Sequence, residues 1–189
     1  FLLSVEQEVV DSISNDHVNR KYFPNIDLDK SLKATFDKSI LSECDIIFIG
    51  IPSNVVVSYI LENSQYISED ALIINLAKGF GDGQKIIPQA LAKIIPNQIF
   101  SMKGPSFARE IINNMPTAFT IASKRDRHFK LFETIFDKTS IHLDFSTDVT
   151  GVELASILKN IYAIIVGIVD AHFDSPNLRS LILTKAIKE

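Results

Sequence analysis

At 189 residues, with 46% hydrophobic and 22% charged side chains, the chain can bury a core, which excludes an intrinsically disordered segment. Its formal net charge of −4 excludes the basic excess a nucleic-acid surface requires, so no nucleic-acid partner is expected. A single cysteine, Cys44, excludes an internal disulfide and fits a reducing compartment; without a basic n-region and secretory h-region, a cytoplasmic location is expected.

In chain order, residues 1–3 read as the end of a strand and residues 5–13 as a helix. A polar loop over 15–25 carries His17, Asn19, Arg20, Lys21 and Pro24. Asp45-Ile-Ile-Phe-Ile-Gly-Ile51 is a continuous apolar run stopped by Pro52, the pattern of a parallel strand buried on both faces. Cys44 just before it reads as a structural thiol rather than a nucleophile. Ser53 is placed to cap a helix over 55–62, and a second apolar strand covers 71–77. A helix over 86–95, strands over 98–102 and 117–122, a helix over 126–136 and a strand over 141–145 follow. Such alternation implies βαβ crossovers and a mostly parallel sheet, hence an α/β fold. After Asp148 only helix remains, so domains of 1–147 and 148–189 are expected. The start at Phe1-Leu-Leu and the end at Lys188-Glu189, inside a helical pattern, read as those of a fragment.

The helix over 150–170 holds the most chemistry. Thr150 and Glu153 have capping-box spacing, and apolar residues cover every face, which predicts a buried helix. Lys159 interrupts the apolar stretch between Glu153 and Asp170, so no membrane span is expected. A lysine forced toward an interior is either a reactive amine or one that snorkels to water along its stem. In an open parallel sheet, ligands gather outside the carboxyl ends of the strands. Pro52-Ser53-Asn54, Lys78-Gly79 and Lys103-Gly-Pro-Ser-Phe-Ala108 all fall there, with Lys78 and Lys103 adding positive charge. Gly79 and Gly104 allow close approach of a ligand, and Ser106 opens a helix start suited to an anion. His17, His128, His142 and His172 lack ligand spacing, so no metal is expected. Arg125, Asp126, Arg127 and Lys130 read as a solvated helix face. The chain contains no complete G-x-G-x-x-G, no P-loop and no G-x-S-x-G.

Taken in order, Asn19-Arg-Lys-Tyr-Phe-Pro24, Ile51-Pro-Ser53, Ala77-Lys-Gly-Phe80, Lys103-Gly-Pro-Ser-Phe-Ala-Arg-Glu110, Pro116-Thr-Ala118, Val149-Thr-Gly-Val-Glu-Leu154 and Leu158-Lys-Asn160 form a specific set. Together they resemble the bacterial NAD(P)-dependent glycerol-3-phosphate dehydrogenases over essentially the whole chain. The resemblance implies a Rossmann-like domain, its first strand-turn-helix outside this chain, followed by the start of a helical domain. It implies interconversion of dihydroxyacetone phosphate and sn-glycerol 3-phosphate with NAD or NADP, feeding glycerophospholipid synthesis. By the same resemblance Lys159 is the proton donor, supported by Asn160. Lys78 meets both cofactor and substrate, Gly104 and Ser106 touch substrate, and Ala108 and Tyr22 touch cofactor. Asn177 and Thr184 match later family positions. The expected partner is a phosphorylated small molecule, and a homodimer is the assembly to test for.

The chain departs from the family pattern in places. Lys103 stands where serine is usual, and Lys185 and Ala186 stand where arginine and glycine are usual. Asp170-Ala-His-Phe-Asp-Ser-Pro-Asn177 has no glycine where the family has several, which predicts a strained or closed turn. Two further possibilities stay open at this point: a related dehydrogenase acting on another substrate, and an inactive remnant of the enzyme.

Overall fold

A computed structural model describes residues 1–188 as strands and helices in alternation, ending in a helical hairpin. Glu189 lies outside the described residues, so the final helical run is seen as far as Lys188. The elements are β1 (Leu2–Leu3), α1 (Gln7–Asp16), β2 (Ala34–Thr35), β3 (Ile46–Ile49), α2 (Ser53–Asn63), β4 (Leu72–Asn75) and α3 (Ile87–Leu91). They continue with β5 (Ile99–Lys103), α4 (Ala108–Ile112), β6 (Thr117–Ala122), α5 (Phe129–Phe136), β7 (Ile141–Ser146), α6 (Val149–His172) and α7 (Pro176–Lys188).

β1 and β2 pair in parallel as a small sheet, while the main sheet runs in the order β3-β4-β5-β6-β7. All neighbours in the main sheet are parallel except β5 and β6. β6 and β7 therefore run together, opposite in direction to β3, β4 and β5. An apolar trough of about 430 Å³, lined by Leu3, Ile47, Ile49 and Ile60 among others, lies between the small sheet and β3.

β4 is buried along its whole length because both of its faces are covered. Ile73 packs with Ile49, Val56, Ile60, Ile87 and Leu91, the layer contributed by α2 and α3. Its neighbours Leu72 and Ile74 face Phe100, Met102, Phe119, Ile121 and Phe132 on the α5 side. There Phe100 and Phe132 meet edge to face, with ring centroids 5.0 Å apart. A continuous apolar run is what such a strand demands.

Four local expectations change. Ser53 does not cap α2 but is its first residue, after Pro52 and with no side-chain cap bond. Asp148, not Thr150, caps α6, its carboxylate accepting from the Gly151 amide at 2.8 Å. Glu153 is thereby freed for the interior, where it is fully buried. The helix expected to open at Ser106 is only the five residues of α4 and begins at Ala108. The glycine-free turn after Asp170 closes without left-handed residues: Phe173 ends α6 in extended backbone, and Pro176 opens α7. Arg179 clamps that turn to Asp170 at 2.8 Å. Lack of glycine there imposes no strain.

The expectation of a wholly buried α6 is also corrected. Only Glu153 and Ser156 are buried, whereas Ile161, Ile164 and Ile168 are exposed at 51%, 65% and 56%. Among the described residues, α6 packs chiefly on β5, β6 and α7, which cover one stripe of an all-apolar helix.

Candidate active site

β3, β4 and β5 are parallel, so their carboxyl ends share one rim. The turns leaving them bring Gly50, Ile51, Ala77, Lys78, Gly104 and Ser106 around a cleft of about 560 Å³. Ala108 lines the same cleft. The close approach of these turns depends on glycine. A Cβ at Gly79 would lie 2.2 Å from Ser53 Oγ, and one at Gly104 would lie 2.2 Å from the Ala118 carbonyl oxygen.

α6 crosses the end of β5 and delivers Lys159 to this rim. Its Nζ donates to the Gly104 carbonyl at 3.3 Å. A smaller pocket of about 260 Å³, lined by Lys103, Gly104, Thr120, Ser156 and Lys159, adjoins the cleft, and Gly104 borders both. Partial burial holds the Lys159 pKa below the usual lysine range, and the neighbouring Lys78 ammonium pushes it further down. An amine so placed gives up its proton more readily than one in water. Lys78 itself is exposed to solvent.

Of the residues singled out from sequence, Lys78, Gly104, Ser106, Ala108 and Lys159 gather here. Asn160 follows Lys159 on α6 and is exposed. Tyr22 does not line the cleft; it is 54% exposed, and its hydroxyl donates to Glu6 at 3.0 Å. Asn177 and Thr184 lie exposed on α7. No group of three or more His, Cys, Asp or Glu among the described residues is arranged to hold a metal ion.

Lys103 is the main correction. Expected as a charge on the rim, it points inward and is 4% exposed. It forms an ion pair with Glu153 Oε1 at 3.2 Å, donates to the Asn75 carbonyl at 3.2 Å, and donates to the Ala77 carbonyl. The same Glu153 oxygen accepts from Asn75 Nδ2 at 3.0 Å and from Ser101 Oγ at 2.5 Å. Burial pushes the Lys103 pKa down, while Glu153 pulls it back up. No sequence motif names this polar network, but β5 carries a signal of it. Ser101 and Lys103 alternate with Phe100 and Met102, which puts both polar side chains on one face of β5. Asn75 pairs with Ser101 across β4 and β5 and shares that face.

The family described as NAD-dependent glycerol-3-phosphate dehydrogenase matches through its N-terminal part over residues 1–129 and its C-terminal part over residues 148–189. The glycerol-3-phosphate dehydrogenase [NAD(P)+] of Acinetobacter baylyi is 34% identical over 97% of this chain, which covers 52% of that protein. The chloroplastic glycerol-3-phosphate dehydrogenase [NAD(+)] 2 of Arabidopsis thaliana is 37% identical over 86% of this chain and 40% of its own length. Among solved structures, glycerol-3-phosphate dehydrogenase from Coxiella burnetii superposes with a TM-score of 0.90 at 29% identity. That match covers 99% of this chain and 58% of the Coxiella chain. The chain thus spans about half the length of the curated relatives it matches. With matches that run across both its α/β and its helical parts, the chain belongs to the NAD-dependent glycerol-3-phosphate dehydrogenase family.

Proposed function

We propose that the complete protein interconverts dihydroxyacetone phosphate and sn-glycerol 3-phosphate with NAD or NADP, supplying glycerophospholipid synthesis. The observation that carries this reading is Lys159, held against Gly104 and beside Lys78 at the carboxyl rim of the sheet. Residues 1–147 are read as the dinucleotide-binding unit and residues 148–189 as the start of the substrate-binding helical unit.

Reading the cleft as the nicotinamide end is supported by its lining, in which small or apolar Gly50, Ile51 and Ala77 lie beside Gly104. Lys78, Ala108 and, farther off, Tyr22 are assigned to the cofactor, which when bound supplies or accepts the hydride. Hydride arriving at a ketone carbon turns the carbonyl oxygen into an alkoxide that needs a proton. Lys159 donates that proton from Nζ, and in the reverse direction its neutral amine takes the hydroxyl proton. Lys78 places a second positive charge beside the developing oxyanion and the phosphorylated substrate. Gly104 and Ser106 complete the substrate contacts, and Asn160 supports Lys159.

The net charge of −4 argues against a nucleic-acid partner. α6 is long and apolar enough to cross a membrane by length and composition. Its Glu153 face, locked onto β5, favours a place on the sheet instead. The expected setting is the cytoplasm, where Cys44 remains a thiol, and the expected assembly is a homodimer. The test is oxidation of NADH or NADPH by the complete protein with dihydroxyacetone phosphate, repeated with Lys159→Ala. Turnover lost in the variant supports the assignment; turnover retained within tenfold removes Lys159 from the chemistry.

A further inference from the structure

The inward-pointing lysine at the end of β5 has no part in the reaction described above, yet it ties the end of β4 and α6 to its own strand. An ammonium has three N–H donors. In Lys103 all three are committed, to the Asn75 carbonyl, the Ala77 carbonyl and Glu153 Oε1. None remains for a ligand. Each contact sits next to a site residue. Ala77 immediately precedes Lys78, Lys103 itself immediately precedes Gly104, and Glu153 lies on α6 less than two turns before Lys159. Gly104 in turn accepts from Lys159. The strands and helix brought together this way are separated by up to 78 residues in sequence, as the Asn75–Glu153 bond shows. Glu153 closes the arrangement through Ser101 and Asn75.

We propose that Lys103 is a positioning residue, whose bonds to Ala77 and Glu153 fix the separation of Lys78 and Lys159 across Gly104. Two considerations favour this role over simple stabilisation. Buried ion pairs are weak contributors to net stability compared with apolar packing, and in some proteins they are kept because they fix one geometry. The network also gives α6 a buried polar anchorage on the sheet, through Glu153. Loss of the anchor lets α6 shift along β5, and a displacement of about 1 Å at a reacting group lowers turnover by roughly 100-fold.

This inference rests on the proposed role of Lys159, so the test needs a readout independent of turnover. Lys103→Met combined with Glu153→Gln removes both charges, keeps volume, and leaves the Asn75 and Ser101 bonds an acceptor. The complete protein is labelled with ¹³C-lysine, and the Cε resonance of Lys159, assigned through Lys159→Arg, is followed with pH. In the parent, Lys78 helps hold this titration below the usual lysine range. Burial is the larger cause of that lowering and Lys78 the second, so movement of the titration reports whether Lys159 keeps its place at Gly104 beside Lys78. The expected result is a titration displaced toward the ordinary lysine range, with kcat down at least tenfold and the cofactor KM within threefold. A folded variant with an unmoved Lys159 titration overturns the proposal, whatever its turnover. If the parent itself lacks turnover with dihydroxyacetone phosphate, the substrate assignment fails and the titration still decides the positioning role. Ser101→Ala, which removes one bond of the network and no charge, is expected to give a smaller displacement in the same direction and replaces the double variant should that one not fold.

Discussion

Lys103→Met isolates the energetic side of the buried pair. Methionine has nearly the length of the lysine stem, so packing changes little while the charge disappears. In the folded chain Lys103 is 4% and Glu153 0% exposed, with the charged atoms 3.2 Å apart. The substitution strands a carboxylate that still accepts from Asn75 and Ser101 but has lost its cation. Glu153 Oε2 already finds no hydrogen-bond partner among the described residues, so nothing nearby compensates. Removing one partner of a buried pair destabilises by about 3–5 kcal/mol. At about 2–4 °C per kcal/mol for a chain of roughly 150–250 residues, that is roughly 6–20 °C in melting temperature, and less for the longer complete protein. The assay is thermal and urea unfolding of the complete protein, followed by circular dichroism. Adding Glu153→Gln is expected to recover more than half of the loss, because a neutral pair of similar volume is close to neutral in stability. A single variant that melts within about 2 °C of the parent, a change of less than about 1 kcal/mol, refutes the reasoning.

Three other outcomes follow from single contacts. Lys78→Ala is expected to raise the KM of both ligands. It should also move the alkaline limb of reduction to higher pH. Under the proposed role, reduction requires protonated Lys159, so activity holds below its pKa and fades as pH rises through it. Burial lowers that pKa first and Lys78 second, and removing Lys78 raises it; an unmoved limb in kcat/KM argues against the pairing. Gly104→Ala places a methyl 2.2 Å from the Ala118 carbonyl oxygen and should destabilise by about 1–3 kcal/mol. An unchanged melting curve contradicts that close approach. Asp148→Ala removes the acceptor of the Gly151 amide and should destabilise by about 1 kcal/mol, as loss of an N-cap does. Thr150→Ala should change stability by less than about 0.5 kcal/mol, as expected of a surface position; the opposite ranking in urea unfolding restores the capping box.

Much of the architecture is written in local patterns. Leu72–Ile74 is apolar on both faces, as a strand between two helical layers demands, whereas Ile46–Ile49 shares the pattern but leaves Phe48 42% exposed at the sheet edge. Thr117–Ala122 appears in the sequence with its observed bounds, although its antiparallel pairing with β5 depends on a neighbour that no local pattern names. The five-residue α4 and the cap at Asp148 show the limit of spacing rules at helix ends. Thr150 and Glu153 carry the capping-box letters, but Glu153 gains more from Asn75, Ser101 and Lys103 than from an exposed amide. The rim residues Lys78, Gly104, Ser106 and Ala108 were legible because strand ends are where turns with glycine and polar residues collect. Lys103 was not, because a lysine at a strand end looks the same whether it faces solvent or an acid supplied by a helix 50 residues later. Tertiary partners decide that.

The central claim is that Lys159 gives the proton to the carbonyl oxygen. It is tested most directly by stopped-flow reduction of dihydroxyacetone phosphate with the complete protein and with Lys159→Ala, alongside cofactor binding followed by fluorescence. Loss of a general acid lowers the rate by about 10²–10⁴-fold, and cofactor affinity should stay within threefold of the parent. A Lys159→Ala protein that turns over within tenfold of the parent contradicts the claim.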